Sequence, residues 1–217
     1  MIENSFELLL ILYKLGYDRA VDEWWWPNSG SVDVIVGAIL TQNTKWDRVE
    51  ESLANLAKRD LLTLQSLCSV DDDILIESIK PSGFYKNKSK NIKLLANNIL
   101  KDFGDFDTFK YSVDREWLLS QRGIGKESAD SILCYCCYKE AFVVDSYTSR
   151  LLNAFGYEFD SYDTLQEFMV SGVADRYHQI LPLPKAQAYA RFHGMIVEYV
   201  KEHKKRGKVV DVTQIKL

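Results

Sequence analysis

The segment from Trp117 to Arg150, WLLSQRGIGKESADSILCYCCYKEAFVVDSYTSR, constrains this chain more than any other. It opens on an apolar pair, Leu118 and Leu119, and passes through a tight loop, Arg122-Gly123-Ile124-Gly125-Lys126. A helical pattern follows, in which Ala129, Ile132, Leu133, Cys136 and Cys137 fall on one apolar face. Two glycines around one apolar residue suit a hairpin between helices, because glycine takes positive φ without strain and lets another backbone come close. Ile124 then plugs the hairpin while the amides of Gly123, Gly125 and Lys126 point outward. Amides at a helix N-terminus with a lysine beside them form a site for one phosphate. A short run later Val143-Val144 delivers a single acid, Asp145, ahead of Ser-Tyr-Thr-Ser-Arg. Taken alone, an acid in that position reads as the N-cap of a helix.

The rest of the chain repeats the 3.6-residue period. Ser5–Leu15 places Phe6, Leu9, Leu10 and Tyr13 at helical spacing with Gly16 as a stop. Ser31–Leu40 has Val32, Ile35, Val36, Ile39 and Leu40 on one face. Further helices are expected at Val49–Ala57, Asp71–Ile79, Lys86–Leu100 and Thr108–Leu119, and after the hairpin at Ser146–Ala154, Thr164–Val173 and Lys185–Lys201. Almost no period-two signal is present, so the predicted fold class is all-α. Three stretches stand outside the helical pattern. Trp24-Trp25-Trp26-Pro27-Asn28 cannot send all three indoles into one core, and the proline suggests an extended turn; the indoles suit either a hydrophobic plug or a stacking wall for a flat ring. Thr41-Gln42-Asn43-Thr44 sets uncharged side chains at a helix end, where they cap or bond base edges. Pro81-Ser82-Gly83 breaks the chain before a helix whose first turns crowd Lys86, Lys88, Lys90 and Lys93. Lysines sit poorly against the positive end of a helix dipole, and nearby phosphate would account for them; Ser82 is a candidate cap.

Composition narrows the classes. With 217 residues, 47% of them apolar, the chain has mass for a sizeable core in one domain or two small lobes. The net charge of −4 argues against indiscriminate nucleic-acid binding and leaves a local basic face as the requirement. No apolar run approaches the roughly 20 residues of a membrane helix, and Met1–Phe6 lacks the basic start of a signal peptide. Cys134, Cys136 and Cys137 cannot all point one way on a helix. With Cys68 they read as free thiols of a reducing cytosol rather than a metal cluster. His178, His193 and His203 have no ligand spacing, and His193 reads as a structural hydrogen-bonder.

GIGKESAD followed by VVDSYTSRL resembles the helix-hairpin-helix plus Gly/Pro-Asp signature of the endonuclease III superfamily of DNA base-excision glycosylases. LTQNTKW at Leu40–Trp46 is similar to the family's loop that carries a glutamine into DNA, and PSGFYKNKSKNI at Pro81–Ile92 to its Gly-aromatic-x-x-Lys DNA-contacting turn. WWWPN and ARFHG at Ala190–Gly194 resemble the 3-methyladenine DNA glycosylase subgroup of epsilon-proteobacteria. The resemblance spans nearly the whole chain. It implies a six-helix bundle over Ser29–Cys137, with residues 1–28 and Tyr138–Leu217 forming a second helical lobe. The cleft between the lobes would hold an extruded base. The implied partner is double-stranded DNA with a damaged base swung out, and the implied state is a cytoplasmic, nucleoid-associated monomer without a membrane anchor. Many relatives hold a [4Fe–4S] cluster through four C-terminal cysteines. No cysteine follows Cys137 here, so no cluster, no catalytic metal and no other cofactor is expected. The resemblance leaves open a monovalent cation on the hairpin carbonyls, as in some relatives.

Roles carried over by the resemblance follow the same chemistry. Gly123, Gly125 and Lys126, aided by Gly83 and Lys88, would fix phosphate register, and Gln42 would fill the space left by the base. Asp145 would stabilise positive charge on the sugar as the glycosidic bond breaks and orient the water. Trp25, Trp26, Pro27 and Trp46 would line the base pocket, with Lys201 near it. Bifunctional relatives place a Schiff-base lysine two residues after the second hairpin glycine. Here that position is Glu127, 18 residues before Asp145, so a monofunctional alkylpurine glycosylase is expected. A bifunctional glycosylase-lyase acting on damaged pyrimidines and a non-catalytic damage-binding module are the competing readings.

Overall fold

The computed structural model describes residues 2–205 and 208–209. Residues 1, 206–207 and 210–217 lie outside the described residues. Among the described residues the fold is all-α. The helices are α1 Ser5–Lys14, α2 Val32–Leu40, α3 Trp46–Ala57, α4 Leu64–Ser69, α5 Asp72–Ile79 and α6 Tyr85–Phe103. They continue with α7 Phe106–Ser112, α8 Arg115–Ser120, α9 Lys126–Ser131, α10 Ser146–Ala154, α11 Tyr162–Val173 and α12 Lys185–His203. A two-residue antiparallel ladder pairs Lys204 with Val209 and Lys205 with Lys208. No helix among the described residues is long and apolar enough to cross a membrane.

The chain divides into two compact units, residues 28–137 and residues 1–27 with 138–217. In the first, α2 is the central strut. The sequence pattern gives it one apolar face, yet every residue from Val32 to Leu40 except Asp33 is buried. A helix apolar all round belongs in a core, and α3, α6 and α9 pack around this one. Ser31 caps its start by accepting from Asp33 N. The single helix expected over Thr108–Leu119 is two, α7 and α8. Val113 is extended, and Asp114 caps the new start by accepting from Trp117 N at 2.7 Å. An acid with an open backbone ahead of it competes well with helix continuation. The short helix α4 falls between the expected ones; Thr63 and Ser66 build a reciprocal capping box that starts it.

After the hairpin, α9 runs on as a π-turn at Ile132–Cys136. This segment is buried on all sides, including Ser128, Asp130 and Ser131. The buried Asp130 carboxylate takes a two-pronged ion pair from Arg115, with Nε at 2.7 Å and an Nη at 3.1 Å. Cys134 and Cys136 are buried and Cys137 is half-buried, and burial pushes the Cys134 thiol pKa up. The second unit gathers α1, α10, α11 and α12 around one core that includes Leu8, Leu9, Leu12, Phe142, Leu151, Met169, Phe192 and Tyr199. Gly172 lies where α1 crosses α11, and an added Cβ there would overlap Ser5. Ser5 Oγ donates to Met169 O across the same contact.

Candidate active site

In the hairpin, Gly123 has φ +81°, which requires glycine, while an added Cβ would meet only the end of the Asn91 side chain. Gly125 is extended at φ −92°, and an added Cβ would meet open space. Its contribution is a bare backbone surface rather than positive φ. Ile124 is buried, as a hairpin plug should be. Lys126 and Glu127 open α9 and are exposed. The positive end of the helix dipole beside the exposed Lys126 suits an anion. The hairpin carbonyls of Gln121 and Gly123 accept from Ile124 N and Gln42 Nε2.

Gln42 lies on the hairpin. Its Nε2 donates to Gly123 O at 2.8 Å and to Ser128 Oγ at 3.0 Å, and Ser128 Oγ donates to Ala38 O. The adjacent turn has Gly83 at φ +64° and Phe84 in left-handed backbone at φ +46°. Phe84 is 69% exposed, an aromatic ring kept in water at a backbone cost of order 1 kcal/mol. Ser82 does not cap α6 as expected; its Oγ donates back to Ile79 O, and Phe84 stands at the N-cap.

Lys88 departs from its expected role. It is only 4% exposed, and its ammonium donates to Leu40 O, Thr44 Oγ1 and Ser82 O at 2.7–2.8 Å. An ammonium has three protons, and all three are used inside the protein, so Lys88 does not reach a phosphate. It sits instead against the C-terminal carbonyls of α2, where a cation is favoured. There it ties the Gln42 loop to the Gly83 turn. Burial lowers its pKa to about 8. The exposed lysines of this face are Lys86 and Lys90; Lys93 bonds Val70 O and Asp72.

The other unit carries the acid. Asp145 caps α10, as its sequence context suggests. Oδ1 accepts from Tyr147 N and Thr148 N, both at 2.9 Å, and from Thr148 Oγ1 at 3.2 Å. Oδ2 lies 3.5 Å from Nε2 of His193, and the Asp145 side chain keeps 15% exposure. Burial pushes its pKa up, but His193 and the Thr148 amide and hydroxyl more than offset that and hold the carboxyl below the usual range. Asp145 is therefore a carboxylate at neutral pH, with one oxygen fixed by the helix and the other turned toward a buried imidazole.

The three consecutive indoles have three different surroundings. Trp24 packs on Tyr138 with ring centres 4.2 Å apart. Trp26 is buried, and its amide donates to Trp24 O at 2.7 Å. Trp25, in left-handed backbone at φ +62°, lies directly on Gly194, where any Cβ would overlap it. Its ring is edge-on to His193, with centres 5.1 Å apart. Its Nε1 donates to Glu198 Oε1 at 3.1 Å. Lys201 donates to the same Glu198 oxygen at 2.9 Å, and its ammonium is 5.8 Å from the Trp25 ring centre. Pro27 is exposed.

Of the predicted residues, this unit thus gathers Trp25 and Lys201 on one patch of α12 that His193 links to Asp145. Trp46, Gln42, Gly83, Gly123, Gly125, Lys126 and Glu127 belong to the other unit, where Trp46 is the half-buried first residue of α3. Sequence reasoning missed Glu198 and the proximity of His193 to Asp145. The spacing of Gly194, Glu198 and Lys201 (i, i+4, i+7) was the available signal. Among the described residues no group of three or more His, Cys, Asp or Glu side chains could hold a metal ion.

Residues 36–170 match the HhH-GPD superfamily of base excision DNA repair proteins. A candidate DNA repair glycosylase of Methanocaldococcus jannaschii is 37% identical, over 100% of this chain and 97% of its own. The crystal structure of the H. pylori 3-methyladenine DNA glycosylase MagIII bound to 1,N6-ethenoadenine superposes with a TM-score of 0.88 at 44% identity, covering 93% of this chain and 99% of that one. A trapped endonuclease III–DNA covalent intermediate, at 17% identity, shares the fold with a TM-score of 0.73 over 95% of this chain and 91% of that one. The chain belongs to the HhH-GPD superfamily of base excision DNA repair proteins.

Proposed function

We propose that the protein is a monofunctional DNA glycosylase that hydrolyses the bond between deoxyribose and an alkylated purine of the 3-methyladenine type. The observation that carries the reading is the Asp145 carboxylate. It is held ionised at the start of α10 and linked through His193 to the indole of Trp25. The likeness to a 3-methyladenine DNA glycosylase bound to a modified adenine supports the choice of substrate.

A base inside a duplex must be swung out, at a cost of about a few kcal/mol. Gly123, Gly125 and Lys126 hold the backbone phosphate, and Gln42 leaves its hydrogen bonds on the hairpin to fill the vacated space. The flat base lies against the Trp25 ring; a cationic base gains about 0.5–2 kcal/mol from such a ring. Alkylation at N3 or N7 has already made the base a good leaving group. The glycosidic electron pair goes to the base, which departs neutral, and positive charge appears on the sugar. Asp145 faces that charge as an anion, in a site where water no longer screens it. Water then adds to C1′ and gives up its proton, with Asp145 as the acceptor.

Glu127 stands where a lyase would need an amine and cannot form a Schiff base. Methylated duplex DNA should therefore release free 3-methyladenine and leave an unbroken abasic strand. Asp145→Asn should bind that DNA without turnover. Borohydride should trap no covalent complex; a robust adduct would overturn the monofunctional assignment. Release of no base by the native protein would favour a damage-binding module instead.

A further inference from the structure

One oxygen, Glu198 Oε1, accepts from both the Trp25 indole at 3.1 Å and the Lys201 ammonium at 2.9 Å. The two side chains differ in what they ask of it. The indole needs an acceptor and is indifferent to charge. The ammonium, 5.8 Å from the ring centre, needs a negative charge, because an unopposed cation there would repel any positively charged base stacked on that ring. Glu198 supplies both from the α12 turn between Gly194, on which Trp25 lies, and Lys201. Its side chain is 29% exposed and that of Lys201 is 39% exposed, so water weakens the pair without removing it.

We propose that Glu198 is a specificity-determining residue, which holds the Trp25 indole by one hydrogen bond and cancels the Lys201 charge so that the ring accepts a cationic purine. This rests on the glycosylase reading above and adds to it the means by which charged and uncharged lesions are told apart. 3-Methyladenine in DNA carries a positive charge; 1,N6-ethenoadenine does not. Excision of the first depends on the balance between Glu198 and Lys201, and excision of the second does not. The orienting role of Glu198 applies equally to both.

The test is the ratio of single-turnover excision rates for DNA containing 3-methyladenine and DNA containing 1,N6-ethenoadenine. Glu198→Gln keeps an acceptor for Trp25 and removes the charge. The ratio should fall about tenfold, the order expected of an unpaired charge at this distance and exposure. Lys201→Met should move the ratio the other way, by about threefold. The double variant should return to within about twofold of the native ratio, since both charges are gone. Equal loss on both lesions, or shifts of the same sign in the two single variants, would reduce Glu198 to a support for Trp25 and overturn the proposal. Both single variants carry the test, so the opposite sign in Lys201→Met still decides the matter if Glu198→Gln folds poorly. Native protein that excises neither base would instead sink the glycosylase reading, and this proposal with it.

Discussion

The two units build their candidate functional surfaces from different materials. In residues 28–137 the surface is mostly backbone. The Gln42 loop, the Gly83 turn and the hairpin are held by carbonyls that accept from Lys88 and Gln42, and the glycines contribute room or unusual φ. In the other unit the surface is made of charged and aromatic side chains: Asp145, His193, Trp25, Glu198 and Lys201. The difference matches the two tasks of a base-excision enzyme. Phosphates are alike along DNA, so register needs a rigid, sequence-blind surface. Choosing and breaking one bond needs charges set against a charge that develops only during the reaction.

This contrast is open to direct attack, and the strongest blow falls on the side-chain unit. Asp145→Asn preserves the cap, because asparagine serves an N-cap as well as aspartate, yet it removes the anion. Single-turnover excision should fall about 10³-fold, while affinity for undamaged duplex stays within about threefold of native. A comparable loss of DNA affinity would show that the two surfaces are not separable. Lys88→Met attacks the backbone unit. It leaves the Leu40 carbonyl without its donor, takes one of two donors from Ser82 O and the ammonium from the Thr44 hydroxyl, and should cost about 2–4 kcal/mol in denaturant unfolding. The Gln42 loop and Gly83 turn should also exchange amide hydrogens faster. Faster exchange confined to other regions would refute the tie between loop and turn.

The smallest effect is the pH dependence of stability. The Asp145 pKa is held below its ordinary value, so the unfolded chain binds the proton more readily. Its contribution to stability is present above about pH 3.9 and is lost as pH falls through the lower folded value. The stability gap between native protein and Asp145→Asn should therefore be constant near neutrality and narrow below about pH 4, measured by urea unfolding across that range. A gap that widens toward acid would show that the carboxylate is not favoured in the fold.

Much of this was legible in the residues. The all-α class, nine of the helical segments, the hairpin plugged by Ile124 and the capping position of Asp145 follow from short-range rules of period, caps and glycine placement. Those rules act over one or two turns, which a linear pattern contains. They failed at Val113-Asp114, where a cap and a continuing apolar period competed, and at α4, whose six residues are too few for a period to register.

What the sequence determined alone was local: where helices run, where the hairpin bends, and that no amine stands at position 127. Tertiary structure decided which side chains share charge. Lys88 looks in sequence like its exposed neighbours Lys86 and Lys90, and only the packing of α6 near the end of α2 turns it inward to three acceptors. Trp25 and Glu198 are 173 residues apart, as the hydrogen bond between them records. No pattern along the chain encodes such a pair, because a helix exposes every side and its neighbours decide which side acquires a partner.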